Sequence, residues 1–256
     1  MSVSTTFPLA VGCAVFLGSI GLTQAQTVVL DDFEVDEGHF ISAPSASGST
    51  HGEEEPTPGQ GPSTAERVDN TITEPLRGSA SWEIFLDDHP DIHAGGGAHA
   101  WRARLLSGAG GAPANNVTLQ NTGNAYVGYW LKTTTPNLIA SIILDDGPDH
   151  EMATYLPIPN DGEWHLFQWE VALATNWEPF AGNTVNGEIN NATFTIDGLV
   201  VAALLDTNIS DQDGLFYIDD VSFNPTGPIQ AIPEPASLVL AGFAAVGVLG
   251  LRRRRR

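Results

Sequence analysis

Cysteine and positive charge are what this chain has least of. Cys13 is the sole cysteine, and it falls within the first 25 residues. No disulfide can therefore staple the rest, which must rest on an apolar core of its own. Of ten Lys and Arg residues, five form a terminal run: Arg252, Arg253, Arg254, Arg255 and Arg256. That leaves Arg67, Arg77, Arg102, Arg104 and Lys132 against 31 Asp and Glu. Such a surface repels nucleic acid and anionic lipid, and suits cations, neutral sugars or basic partners. An amphipathic helix of ten or more residues is lacking too. So are a serine nucleophile elbow, a phosphate-cradling loop and a Cys–His dyad. The expectation is a protein that is not an enzyme.

Long apolar runs occur only at the two ends. Residues 1–25 read as a secretory signal peptide, with the apolar core VGCAVFLGSIGL (11–22) and Thr23-Gln24-Ala25 as a small-residue cleavage site. No Lys or Arg precedes that core, so the α-amino group alone supplies its charge. Ala10-Val11-Gly12-Cys13 loosely resembles a lipobox, but it lacks the usual Leu and the apolar run continues past Cys13.

At the other end, residues 236–251 are apolar and expected to form a transmembrane helix. At 1.5 Å per residue that helix reaches about 24 Å, short of a hydrocarbon core of about 30 Å. Snorkelling arginines and local thinning would close the gap. The five arginines would act as a membrane stop, holding the C-terminus on the cytoplasmic side. Pro233 and Pro235 break any helix before the run begins. In order and spacing, Pro233-Glu234-Pro235, the apolar run and the arginines resemble the PEP-CTERM sorting signal of Gram-negative bacteria. The resemblance implies an exosortase-type membrane protease as partner, a transient hold in the inner membrane, and a link to exopolysaccharide or biofilm export. The expected destination is the cell surface or extracellular matrix.

Between the ends lie short runs rich in β-branched and aromatic residues, separated by Gly, Pro, Asn and Asp. They are TVVLDDFEV (27–35), GSASWEIFL (78–86), AHAWRARLL (98–106), AYVGYWLKT (125–133), LIASIILDD (138–146), EMATYLPI (151–158), WHLFQWEVAL (164–173), ATFTIDGLVVAAL (192–204) and GLFYIDDVSF (214–223). Their number and spacing predict an all-β domain over residues 26–228, an antiparallel β-sandwich of jelly-roll type. Residues 42–63 are too polar and too rich in Pro and Gly to pack, and read as an exposed loop after the first strand.

The strands LDDFEV and GLFYIDDVSF, with DGEWHLFQWEV between them, resemble the carbohydrate-binding jelly rolls of the galactose-binding-like kind. That resemblance implies a structural Ca²⁺ beside the first and last strands. Glu34 and Asp220 would be its carboxylates, with Asp32 a third. Alternation places Asp32 and Glu34 on one face of their strand, and Asp219 and Asp220 on opposite faces of theirs. Hard oxygen ligands of this kind suit calcium. The alternative is a row of edge carboxylates facing water. Polysaccharide is the expected ligand. Stacking on sugar faces needs exposed aromatics beside polar groups, and Trp177, between two strands, and Trp101, beside Arg102 and Arg104, are the candidates.

Two further clusters weigh less. His89, Asp91, His93 and His99 could hold a transition metal, but they lie in a glycine-rich loop without a helical His pair. Asp145, Asp146, Asp149 and Glu151 could serve a glycosidase, but adjacent loop acids do not make a cleft with one raised pKa. The expected role is a non-catalytic polysaccharide-binding module. A structural matrix protein without a sugar site and a secreted glycan-active enzyme are the alternatives.

Overall fold

Alternating apolar residues sort the chain into two antiparallel sheets that face each other. The computed structural model describes residues 27–34, 40, 64–69, 76–86, 99–107, 116–206 and 213–230. The expected signal peptide, the loop at 42–63, His89, Asp91, His93, the side chain of His99 and the tail from residue 231 lie outside the described residues.

The strands are β1 (Val28–Asp31), β2 (Thr64–Asp69), β3 (Ala80–Leu86), β4 (His99–Leu106), β5 (Leu119–Gln120), β6 (Tyr126–Thr133) and β7 (Leu138–Asp146). They continue with β8 (Asp149–Ala153), β9 (Leu156–Pro157), β10 (His165–Glu170), β11 (Trp177–Ala181), β12 (Thr193–Leu204) and β13 (Gly214–Asn224). Sheet one runs β10-β6-β13-β3-β2, and β1 also pairs with β13. Sheet two runs β11-β8-β7-β12-β4, with β5 on β12 and β9 on β7. Among the described residues no helix is long and apolar enough to cross a membrane.

Each sheet sends one side of its strands into a shared core. β6 contributes Val127, Tyr129 and Leu131, and β13 contributes Phe216, Ile218, Val221 and Phe223. Opposite them, β7 contributes Leu138, Ala140, Ile142 and Leu144. Tyr129 ties the layers together. Its ring packs against Phe167 and Trp169, and its hydroxyl reaches sheet two, 2.9 Å from the Ser141 carbonyl and 3.0 Å from that of Val200. Burial raises the Tyr129 pKa well above the usual phenol range.

β7 is buried along its whole length. Its second face is covered as well, because Ile143 packs with Met152, Val200, Tyr155 and Phe180. That double cover explains why LIASIILDD reads as a continuous apolar run and not as an alternation.

β2, β5 and β11 have no counterpart among the expected strands. TAERVD of β2 carries no apolar alternation. β11 contains Pro179 and sits at the edge of sheet two, where a missing N–H costs no ladder bond.

Candidate functional site

The first and last strands do come together, and a bulge shapes their meeting. β1 pairs with the second half of β13, with Val28 opposite Phe223. Register along β13 shifts between Asp219 and Ser222, and Asp220 takes a left-handed φ of 43°. The bulge breaks the alternation expected there. Both carboxylates are consequently buried, Asp219 at 0% exposure and Asp220 at 4%.

Each carboxylate in this cluster has donors of its own. Asp219 accepts from the N–H of Asp220 at 2.7 Å and of Leu76 at 3.1 Å. Asp220 takes Arg77 Nη2 at 2.7 Å, and Asp32 lies 3.6 Å from the same nitrogen. Glu34 accepts from the Ser79 N–H at 2.7 Å, the Ala80 N–H at 2.8 Å and the Ser79 hydroxyl at 2.7 Å. Gly78 makes that grip possible. Its φ is 74°, and a Cβ there would lie 2.3 Å from Glu34 Oε1. Arg67 closes the turn from below, donating to the carbonyls of Phe33 at 2.6 Å and Glu34 at 2.9 Å.

These partners set the carboxyl pKa values. Burial, helped by the Asp220 charge, pushes Asp219 up to about 8. Burial also pushes Asp220 up to about 6, against the pull of Arg77 and with Asp32 and Glu34 adding to the rise. For Glu34, burial works upward, but the Ser79 and Ala80 donors outweigh it and hold the carboxyl below its usual value.

The expected calcium ligands therefore do not fit the ion as they stand. Glu34 has both oxygens engaged by N–H and O–H donors. The cation between Asp32 and Asp220 is the Arg77 guanidinium, in the place a Ca²⁺ would need. Calcium wants six to eight oxygens free to converge, and these three carboxylates converge on donors of the protein itself.

Both expected sugar-stacking tryptophans lie in the core, which corrects their expected exposure. Trp101 is 0% exposed and stacks on Phe216 with ring centroids 6.3 Å apart. Alternation is the reason: in β4 Arg102 and Arg104 point outward, so Trp101, one residue before Arg102, must point inward. Trp177 is 4% exposed. A 3₁₀ turn at Ala174–Asn176 delivers it to the start of β11, opposite Ala153, and its indole N–H donates to the Glu170 carbonyl at 3.3 Å.

Half-buried aromatics do occur elsewhere, on the outer face of sheet one. Lys132 of β6 faces Tyr217 of β13, which faces Glu83 of β3. The Lys132 ammonium lies 5.1 Å from the Trp164 ring centre and 5.6 Å from that of Tyr217. Burial and a hydrogen bond to Glu83 push the Tyr217 hydroxyl up to about 12. Trp130 lies on the same face, opposite Leu166 and Asp219. The row thus reads aromatic, cation, aromatic, carboxylate. The signal was present in the sequence: Trp130 and Lys132 are two residues apart in one strand and so share a face.

The acids of β7 and β8 mostly hold a loop. Asp149 accepts from the N–H groups of Asn183 at 3.0 Å and Thr184 at 3.1 Å, and from the Thr184 hydroxyl. Glu151 accepts from Asn186 at 2.9 Å and Gly187 at 3.0 Å. Asp146 accepts from Asn190 and Asn191, each at 2.9 Å. Three carboxylates thereby satisfy the backbone of residues 183–191.

None of the curated proteins matches the chain. Among solved structures it is similar to a crystal structure of a family 30 carbohydrate-binding module, at 14% identity, over 80% of this chain and 92% of that one, with a TM-score of 0.41. Residues 231–255 match the family model of the PEP-CTERM protein-sorting motif, so the chain carries that sorting signal and is an exported protein.

Proposed function

We propose that the chain is a non-catalytic polysaccharide-binding protein of jelly-roll type that is released at the cell surface or into the matrix after processing of its tail. The observation that carries the reading is the row Trp164–Lys132–Tyr217–Glu83, with Trp130 beside it. Aromatic faces stack on the apolar faces of sugars, and the ammonium and carboxylate between them hold hydroxyls. Trp164 and Tyr217 stand two strand spacings apart, about 9.5 Å, which suits an extended glycan better than a single sugar. The acidic surface repels polyanions, so the ligand is a neutral polysaccharide.

The sorting tail agrees with this destination. An exosortase-type protease would cut near Pro233-Glu234-Pro235 while the apolar run at 236–251 holds the chain in the inner membrane. The Thr27 hydroxyl accepts from the N–H of Gln230 at 3.4 Å, so both terminal segments join the sandwich at one place. Ile229, just before the tail, is buried and donates its N–H to Gln168 at 2.7 Å.

Affinity electrophoresis through gels cast with neutral and with acidic polysaccharides tests the reading. The wild type is expected to be retarded by a neutral glycan, with Trp164→Ala and Tyr217→Ala each losing at least tenfold in affinity. A chain that migrates freely through every gel would be a structural matrix protein. Breakdown of the glycan during the run would make it an enzyme.

A further inference from the structure

We propose that Asp145, His150 and Asp197 form a binding site for one divalent transition-metal ion of the zinc class on the outer face of sheet two. One ligand atom from each residue lies within 4.8 Å of those of the other two. His150 Nδ1 is 2.7 Å from Asp145 Oδ1 and 3.9 Å from Asp197 Oδ1. A tetrahedral site with bonds of 2.0–2.1 Å has edges of about 3.3 Å, between those two separations.

The second observation is that two of these atoms make no hydrogen bond. Asp145 is 5% exposed, yet among the described residues its Oδ1 has no hydrogen-bond partner, and neither has His150 Nδ1. They approach to 2.7 Å without the alignment of a hydrogen bond. Buried polar atoms are rarely left so, and a cation between them would satisfy both.

The surroundings also have the form of a built site. The remaining oxygen of each carboxylate is held from outside. Thr195 Oγ1 donates to Asp145 Oδ2 at 2.6 Å, and Arg104 Nε donates to Asp197 Oδ2 at 3.1 Å. Arg104 is itself laid over the Phe180 ring at 5.5 Å. Such outer partners orient ligands at known metal centres. Strand register assembles the group: His150 and Thr195 both lie opposite Asp145, and a shift between Ile196 and Gly198 re-aims Asp197.

The donor set chooses the ion. An imidazole nitrogen with two carboxylate oxygens suits zinc, cobalt or iron(II) better than calcium, which asks for more ligands and only oxygen. Two buried negative charges face one guanidinium, so a dication improves the balance. The His150 side chain is 29% exposed, and a water would be the fourth ligand. The ion would pin β7, β8 and β12 together beside the loop that Asp146, Asp149 and Glu151 hold.

The test uses the full chain in detergent with a tag free of histidine, stripped with EDTA and titrated calorimetrically with Zn²⁺ and Co²⁺. One ion per chain is expected, with visible ligand-field absorption from Co²⁺. His150→Gln and Asp145→Asn should each weaken binding by about 10–100-fold. A His89→Gln/His93→Gln double variant should bind like wild type, which separates this site from those histidines. In the wild type, Zn²⁺ should shift the His150 ring resonances, a readout that needs no variant to fold. The proposal is overturned by no binding at micromolar zinc, by unmoved His150 resonances, or by wild-type affinity in both single variants.

Discussion

Two groups of carboxylates lie on this sandwich, at the β1–β13 junction and across β7, β8 and β12, and they are neutralised in opposite ways. At the junction Asp219, Asp220 and Glu34 each meet donors of the protein: Arg77, the Ser79 hydroxyl, or a backbone N–H of Leu76, Ser79, Ala80 or Asp220. On sheet two, Asp145 and Asp197 each have one oxygen held, while Asp145 Oδ1 and His150 Nδ1 lie 2.7 Å apart with no hydrogen bond to satisfy either. A carboxylate does not reveal by its type whether it wants a metal. The donors that tertiary structure brings within 3 Å decide that. Here the group whose motif suggests an ion is engaged by the protein's own donors, and the group without a motif holds a carboxylate oxygen and an imidazole nitrogen that no hydrogen bond satisfies.

The largest effect that would test this contrast is Arg77→Ala. It strips the guanidinium from Asp220 and Asp32 and leaves the buried Asp220 carboxylate uncompensated. Breaking a buried pair this way costs about 3–5 kcal/mol, and the low end applies because Arg77 is 23% exposed. Urea titration measures it. Calcium sharpens the result: Ca²⁺ and EGTA should leave the wild-type midpoint unchanged, whereas Ca²⁺ should partly restore the variant by entering the vacated place. A calcium shift in the wild type would mean that Arg77 yields to the ion, and the contrast between the two groups would collapse.

Gly78→Ala comes next. The left-handed φ and the clash with Glu34 predict a loss of about 1–3 kcal/mol, read from the same titration. If Gly78→Ala folds as stably as wild type, the turn does not grip Glu34 as tightly as its three hydrogen bonds suggest.

A third effect is a slope with pH. Asp219 and Asp220 have folded pKa values raised to about 8 and about 6. The folded state thus holds their protons more tightly than the unfolded chain does. Their contribution is complete below the ordinary carboxylate range and is lost as pH rises through the folded values. Glu34 runs the other way, stabilising above its unfolded pKa and losing that on acidification. The wild-type midpoint should therefore decline between about pH 5 and pH 8.5, and Asp219→Asn should flatten the upper part of that decline. An unchanged slope in the variant would remove Asp219 as its source.

Much of the sandwich was legible because strand-forming residues announce themselves locally. Each of the nine expected runs contains or overlaps a strand, and alternation in β6 separates Val127, Tyr129 and Leu131 from Trp130 and Lys132. Where the local signal is weak, expectation failed. β2 is mostly polar, with Val68 its one buried side chain, and β11 holds a proline that only an edge position tolerates. Trp177 looked like a loop residue because nothing in TNWEPFAGN shows that β8 runs alongside. Trp101 is a different case, since the outward phase of Arg102 and Arg104 already assigns its indole to the core.

The five basic residues outside the terminal run show the same division. Arg67, Arg77, Arg102, Arg104 and Lys132 are each engaged, by carbonyls, carboxylates or aromatic rings. Their scarcity is a fact of composition; their partners are facts of topology.

By itself the sequence determined the sorting tail, the all-β class and the inward phase of most strands, because each depends on residues close together along the chain. Only the tertiary structure decided which carboxylate meets Arg77, which aromatics stay at the surface and where His150 finds two aspartates. Those meetings join residues as far apart as Arg77 and Asp220, 143 positions along the chain. They depend on strand register and on bulges at Asp220 and Asp197, and local pattern does not encode either.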